Sequence, residues 1–195
     1  MNRAKLIGFS VLALLVLIVV GSCAKAPTSE MNTAAAAVAK AEGDSDTVEY
    51  APDSLKRAKD ALSRMQAESA AKKYEAAKTL ALEAVQAAEK AMADGKAGKA
   101  RAKEEAAGLL SSVKAALLEA ESALASAKAV RGIVFDFTVA AQDMQSAQRS
   151  VATMETDLAN ENFKIALEKG QNARSLLGSL QNRIAEAVRA ASRKK

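Results

Sequence analysis

One spacing constrains this chain more than any other feature. From Tyr74, the residues Tyr74, Ala77, Ala81, Ala84, Ala88 and Ala91 recur at intervals of 3-4-3-4-3. Such intervals place every member on one face of a helix. The face is narrow and made of small side chains, so a second helix can approach closely. Seams of this period favour shallow antiparallel packing with a left-handed coil. Alanine is also the best helix former. Only Pro27 and Pro52 interrupt the backbone donors. The composition therefore predicts an all-α chain.

The same pattern appears elsewhere. A helix is expected to start at Ala51-Pro52-Asp53-Ser54, because Pro suits the first turn and Asp53 suits the positive helix end. Leu55, Ala58, Leu62 and Met65 then share a face, and a hinge follows near Ala70 to Lys73. Before them, Asn32 to Glu42 reads as an Ala-rich helix without large apolar residues to pack, ended by the GDSD turn at 43–46. Gly95 and Gly98 each weaken a helix by about 1 kcal/mol relative to Ala and suggest a kink or fraying. Leu110, Val113, Leu117, Ala120 and Leu124 resume the period. RGIVFDF, residues 131–137, breaks it and reads as a loop whose Ile133, Phe135 and Phe137 tuck onto the bundle. A last pair of seams runs Met144, Ala147, Val151, Met154, Leu158 and, past a turn near Ala159-Asn160, Phe163, Ala166, Gly170, Ala173, Leu177, Leu180, Ile184.

The two helix pairs superpose without a gap at an offset of 89 residues. Leu55 meets Met144, Ala58 meets Ala147, Leu62 meets Val151 and Met65 meets Met154. Past the turn, Tyr74 meets Phe163, Ala77 meets Ala166 and Ala84 meets Ala173. The aromatic thus falls at one place after each turn, which suggests an internal duplication. Each unit looks like a tetratricopeptide-type hairpin, in which an aromatic inside the second helix packs over the turn. The first pair is also similar to an uncharacterised family of Ala-rich bacterial lipoproteins, a domain of unknown function. Ala51, Pro52, Leu55 and Ala58 match that family's first motif, and Tyr74, Ala77, Leu80, Ala81, Ala84 and Ala88 its second. In the second pair no Pro precedes the first helix, and Lys169 stands where Leu80 does.

The N-terminus carries a different signal. Arg3 and Lys5 lead into 15 apolar residues, Leu6 to Val20. A bilayer core needs about 20 residues of helix, so this run suits a cleavable signal peptide better than a span. It ends at Val20, Gly21, Ser22 and Cys23, which resemble the bacterial lipobox. That resemblance implies cleavage before Cys23, a covalent diacylglycerol on its sulfur and an N-acyl chain on the new amine. Ala24 after the cysteine resembles the outer-membrane default. More than one acyl chain makes such anchoring stable.

Composition narrows the remaining choices. Without Arg3 and Lys5, the 28 basic residues fall to 26 against 23 acidic ones, a net of +3. That is mild for a nucleic-acid binder, so no nucleic acid is expected. The chain holds no histidine and Cys23 alone as a thiol. The commonest metal ligand and general base is missing, so no metal, no other cofactor and no catalytic residue are expected. Acid pairs such as Glu104-Glu105 and Glu119/Glu121 read as solvated helix faces, with helical pairs such as Glu75 with Lys78. From Arg174 on, the chain turns basic. Its end, Ser192-Arg193-Lys194-Lys195, resembles that of the major murein lipoprotein, which implies attachment to peptidoglycan through Lys195.

The expected fold is an elongated bundle of two tetratricopeptide-like antiparallel hairpins joined by a long helix, after a signal helix. The expected divisions are 1–22 as signal peptide, 23–50 as lipidated tether and short helix, 51–130 as first hairpin and 131–195 as second. The expected function is a non-enzymatic, membrane-anchored lipoprotein of the cell envelope, facing the periplasm from the outer membrane. It would act as a structural or protein-binding module, with envelope proteins as partners and peptidoglycan as a possible one. The alternatives are a murein-lipoprotein-like spacer and an inner-membrane, signal-anchored coiled-coil protein.

Overall fold

A computed structural model of the chain describes residues 25–193. The described residues form six helices and no strand. Helix α1 is Thr28–Gly43, α2 Ser45–Tyr50, α3 Pro52–Ala70, α4 Tyr74–Lys128, α5 Phe137–Ala159 and α6 Phe163–Ser192. The chain is an all-α helical bundle, as its alanine spacing predicts. The signal segment, Val20, Gly21, Ser22, Cys23 and Lys195 lie outside the described residues.

The chain divides into two compact units, one reaching to Asp94 and one from Gly95 on. The division falls inside α4, whereas the sequence suggests a boundary after residue 130. The first unit packs α1, α3 and the N-terminal part of α4. Its core is the alanine seam Ala77, Ala81, Ala84, Ala88 and Ala91 facing Leu55, Ala58, Ala61 and Met65. Helix α1 corrects one expectation. It starts earlier than Asn32, and it packs: Ala34, Val38 and Ala41 are buried in this core. Small residues suffice because the opposing face is itself small. After Gly43, the Asp44 carboxylate accepts from the Thr47 backbone N–H at 2.7 Å, and so starts α2 within one residue of the break. Pro52 then opens α3 at its first turn.

The second unit packs the rest of α4 against α5 and α6. Val113, Ala120, Ala127, Ala140, Met144, Ala147, Val151, Ala173, Leu177, Leu180 and Ile184 form its main core. Ile133, Phe135 and Phe137 pack onto that core as expected. The Phe135 and Phe137 rings meet edge to face at 5.1 Å. Asp136 starts α5 by accepting from the N–H groups of Thr138 and Val139, each at 3.0 Å.

Gly95 and Gly98 do not break α4. The helix runs 55 residues through both. Gly95 is buried at a seam position, where a missing side chain costs helix propensity.

The internal repeat is present in three dimensions. Both hairpins turn through one residue with positive φ, Lys72 at 60° and Glu161 at 61°. These two residues are 89 apart. At the first turn, Lys73 N–H donates to Glu68 O at 2.9 Å and Lys72 N–H to Ser69 O at 2.9 Å. At the second, Asn162 N–H donates to Asp157 O at 2.8 Å and Glu161 N–H to Leu158 O at 3.2 Å. All four donors and acceptors correspond at the same offset. The geometry is the paired C-terminal closure that usually selects Gly. Here the hairpin imposes it on Lys and Glu, at a left-handed cost of roughly 1–2 kcal/mol each.

Burial follows the offset too. Ala58 and Ala147, Met65 and Met154, Ala77 and Ala166, and Ala84 and Ala173 are all buried. The pair Ala81 and Gly170 shows why one seam position changed. A Cβ on Gly170 would lie 2.6 Å from Leu109 Cδ2 and 2.9 Å from Met154 Cε. Leucine and methionine fill the space that Ala81 occupies in the first unit.

Two stability outcomes follow. Gly170→Val should cost about 1–3 kcal/mol by overpacking against Leu109 and Met154. Met154→Ala should cost about 2–5 kcal/mol by opening a cavity. Urea unfolding monitored by circular dichroism measures both.

Candidate interaction groove

The polar contacts of the two units stand at matching places. In the first, Ser54 Oγ donates to Asp94 Oδ2 at 2.6 Å, and Lys90 Nζ reaches the same carboxylate at 2.9 Å. The Ser54 hydrogen bond, then the Lys90 contact, hold the Asp94 carboxyl below its ordinary value of 3.8. In the second, offset by 89, Asp143 takes the place of Ser54 and Arg183 that of Asp94. These two form an ion pair. The acceptor has moved from one helix to the other, and the cross-helix contact survives. Lys169, which replaces Leu80, extends from its half-buried position to Asp157 at 2.5 Å. Lys99 Nζ holds Glu161 at the second turn at 2.9 Å. That bond lowers the Glu161 carboxyl below its ordinary value. Lys78 pairs with Glu30 of α1 at 3.6 Å, not with Glu75 on its own helix.

These contacts set helix register. Asp157–Lys169 and Asp143–Arg183 are 14 residues apart on both α5 and α6, so the two helices run antiparallel without slippage. Between α4 and α5, Gln148 Nε2 donates to Glu121 Oε1 at 3.0 Å and Lys114 Nζ meets Glu155 Oε1 at 2.5 Å. These pairs are seven residues apart on each helix.

The α4–α5 register leaves a groove on the outer side of the second unit. It consists of two hollows that share Gln148. The larger, of 780 Å³, lies toward Lys128 and Thr138. The smaller, of 420 Å³, lies toward Lys114 and Glu155. Leu117, Leu118, Leu124 and Val151 supply an apolar lining, and Gln142, Gln145 and Gln148 a polar one. Leu118 is 66% exposed. Each glutamine amide offers both donor and acceptor. A second groove of 490 Å³ lies in the first unit between α1 and α4, lined by Thr33, Lys78, Leu82 and Val85.

The α4–α5 groove combines apolar surface with glutamine amides and the charged Lys114, Glu121, Lys128 and Glu155. The first-unit groove carries Glu30, Glu75 and Lys78 and no amide. Among the described residues, no group of three or more His, Cys, Asp or Glu side chains could hold a metal. No helix among them is long and apolar enough to cross a membrane. Glu104, Glu105, Glu119 and Glu121 are exposed, as their helical spacing suggests.

The lipobox residues, Cys23 and Lys195 are outside the described residues. Of the residues that the sequence places on helix faces, Leu117, Leu124, Glu121, Met144 and Val151 line the α4–α5 groove and Glu75, Lys78 and Ala81 the first-unit groove. Leu118, Leu82 and the three glutamines were missed. One signal marks the two leucines. Leu118 beside Leu117, and Leu82 beside Ala81, are large apolar residues just off the seam, on faces the bundle does not cover.

The architecture defines an all-α protein of two helical units. Residues 29–107 match the family described as Domain of unknown function (DUF4398). That stretch begins within α1 and ends within α4, and so includes the whole core of the first unit. No curated protein and no solved structure matches the chain.

Asp94 gives a test of the polar seam. Its folded-state carboxyl is lowered, so its contribution is present above the unfolded value and is lost as pH falls through the folded one. Asp94→Asn should lower the melting temperature at pH 7. The gap to the parent chain should shrink as pH drops below about 3.8. Melting curves at pH 7, 4 and 2 measure it.

Proposed function

We propose that this protein is a non-enzymatic, lipid-anchored module of the bacterial cell envelope that binds a helical segment of another envelope protein. The observation that carries the binding role is the uncovered α4–α5 groove, with Leu118 at 66% exposure inside it. Two antiparallel helices with an apolar floor and an amide rim suit an amphipathic helix laid between them. The glutamines offer donors and acceptors, and Lys114, Glu121, Lys128 and Glu155 in the same lining suit a partner helix that carries charges of both signs.

The anchoring role rests on the lipobox-like Val20-Gly21-Ser22-Cys23. It places a diacylglycerol and an N-acyl chain on Cys23, with the chain facing the periplasm from the outer membrane. Helix α1 begins at Thr28, five residues beyond that cysteine. An extended chain covers at most roughly 3.3–3.6 Å per residue, so the tether reaches no farther than about 17 Å. The first unit is then held close to the lipid surface. This short reach favours partners that also lie at the membrane.

Two measurements test the two roles separately. Intact mass of the detergent-extracted native protein should start at Cys23 with added acyl chains, and Cys23→Ser should abolish the lipid. A mass that keeps residue 1 or 2 and carries no lipid rejects the anchor. A muropeptide adduct on Lys195, released by muramidase, replaces this reading with a wall-linked spacer. For the groove, a photo-crosslinker at the exposed Ala125 should give a discrete protein adduct in intact cells. Leu118→Arg should remove that adduct while changing stability by no more than about 0.5 kcal/mol, the usual range for a surface change.

A further inference from the structure

The end of the second unit where α4 stops, α5 starts and α6 finishes has a character found in neither groove. The antiparallel register of α5 and α6 places Arg189 level with Phe137. Arg193 then falls level with Ile133, beside the 129–136 loop. Lys128 Nζ stands 6.0 Å from the centre of the Phe137 ring, and so borders the same loop. Arg131 is exposed within it. Two carboxylates face this group: Asp136, which caps α5, and Glu186, set back on α6 level with Ala140. Cations therefore outnumber acids.

The same loop exposes an apolar tip. Ile133 and Phe135 turn inward onto the core. Val134, between them, is 82% exposed, and Val139 nearby is 38% exposed. Gly132, with φ at 74°, lets the backbone reverse just before the tip. The edge-to-face contact of Phe135 with Phe137 holds the loop against the core and leaves Val134 pointing out. An outward valine, in a loop that carries Arg131 and borders Lys128, serves no purpose in packing.

We propose that this end of the second unit docks on an anionic lipid surface, with Val134 entering the interfacial layer and Lys128, Arg131, Arg189 and Arg193 meeting lipid phosphates. Interfacial binding adds buried apolar area to electrostatic attraction for anionic headgroups. Charge complementarity selects an anionic partner. The apolar tip selects lipid over an anionic polymer, because only the bilayer offers a phase that accepts valine. The inference stands whether or not Cys23 carries lipid. A lipid anchor would strengthen the contact by making it intramolecular.

The chain contains no tryptophan, so one can be placed as a unique reporter. The test uses the full V134W chain reconstituted into vesicles of phosphatidylcholine alone or mixed with phosphatidylglycerol. In the mixed vesicles, indole emission should shift to shorter wavelength and be quenched by chain-brominated lipid. In neutral vesicles it should do neither. Arg131→Gln and Arg189→Gln, both at exposed positions, should each lower the docked-to-undocked ratio about fivefold, and high salt should act in the same direction. An unshifted indole on anionic vesicles overturns the proposal, as does an equal shift on neutral ones. Binding of soluble polyphosphate through Arg131 and Arg189, with the indole still in water, assigns the patch to a polymer and overturns it as well.

Discussion

Everything in this protein depends on alanine packed against alanine. A helix face of Ala77, Ala81, Ala84, Ala88 and Ala91 offers little transfer energy per residue. It offers instead a flat surface that lets two backbones approach and gain dispersion contacts along their whole length. In the first unit large residues are few, whereas the second adds Val113, Leu177, Leu180 and Ile184 to its alanines. Met65 and Met154 fill corresponding places before the two turns, and their flexible side chains suit irregular gaps. Such a core tolerates neither a larger seam residue nor a hole at a methionine.

The long α4 follows from the same economy. Its N-terminal part completes the first unit and its C-terminal part opens the second, so each unit is a three-helix core. The first helix is α1 in one unit and the C-terminal part of α4 in the other. Gly95 lies in the seam of this helix and occupies the place of Ile184 in the second hairpin. Two glycines cost helix propensity, yet the helix runs through both without a break. The preserved turns, with Lys72 and Glu161 forced into the left-handed region, show that hairpin closure outranks local preference.

Function, in this reading, lies where the pattern is violated. Several seam positions carry the same buried residue in both units, as Ala58 and Ala147 or Ala77 and Ala166 do. Leu118, Leu82 and Val134 are not part of any seam and are left in water. The amide-rimmed groove and the loop that carries Arg131 hold two of them. The Asp143–Arg183 pair, which reverses the direction of Ser54–Asp94, shows that the polar seam could drift in chemistry provided that each helix kept one partner for the other.

Much of the fold was legible without coordinates. The 3-4 spacing settled the helices, Pro52 marked a start, and the 89-residue offset foretold equivalent turns. Those features depend on local geometry and side-chain size, which a linear chain records directly. Other features could not be read this way. Ala34, Val38 and Ala41 looked too small to pack until an equally small surface faced them. Gly95 and Gly98 looked like a break because propensity is local and the compensating contacts are not. The groove was invisible for a further reason: an off-seam leucine is covered or bare according to which helix lies beside it. By itself, then, the sequence determined the helices, their buried faces and their duplication. Only the tertiary structure decided the register between helices, the continuity of α4 and the apolar residues left for a partner, because each of these depends on contacts between residues far apart in the chain.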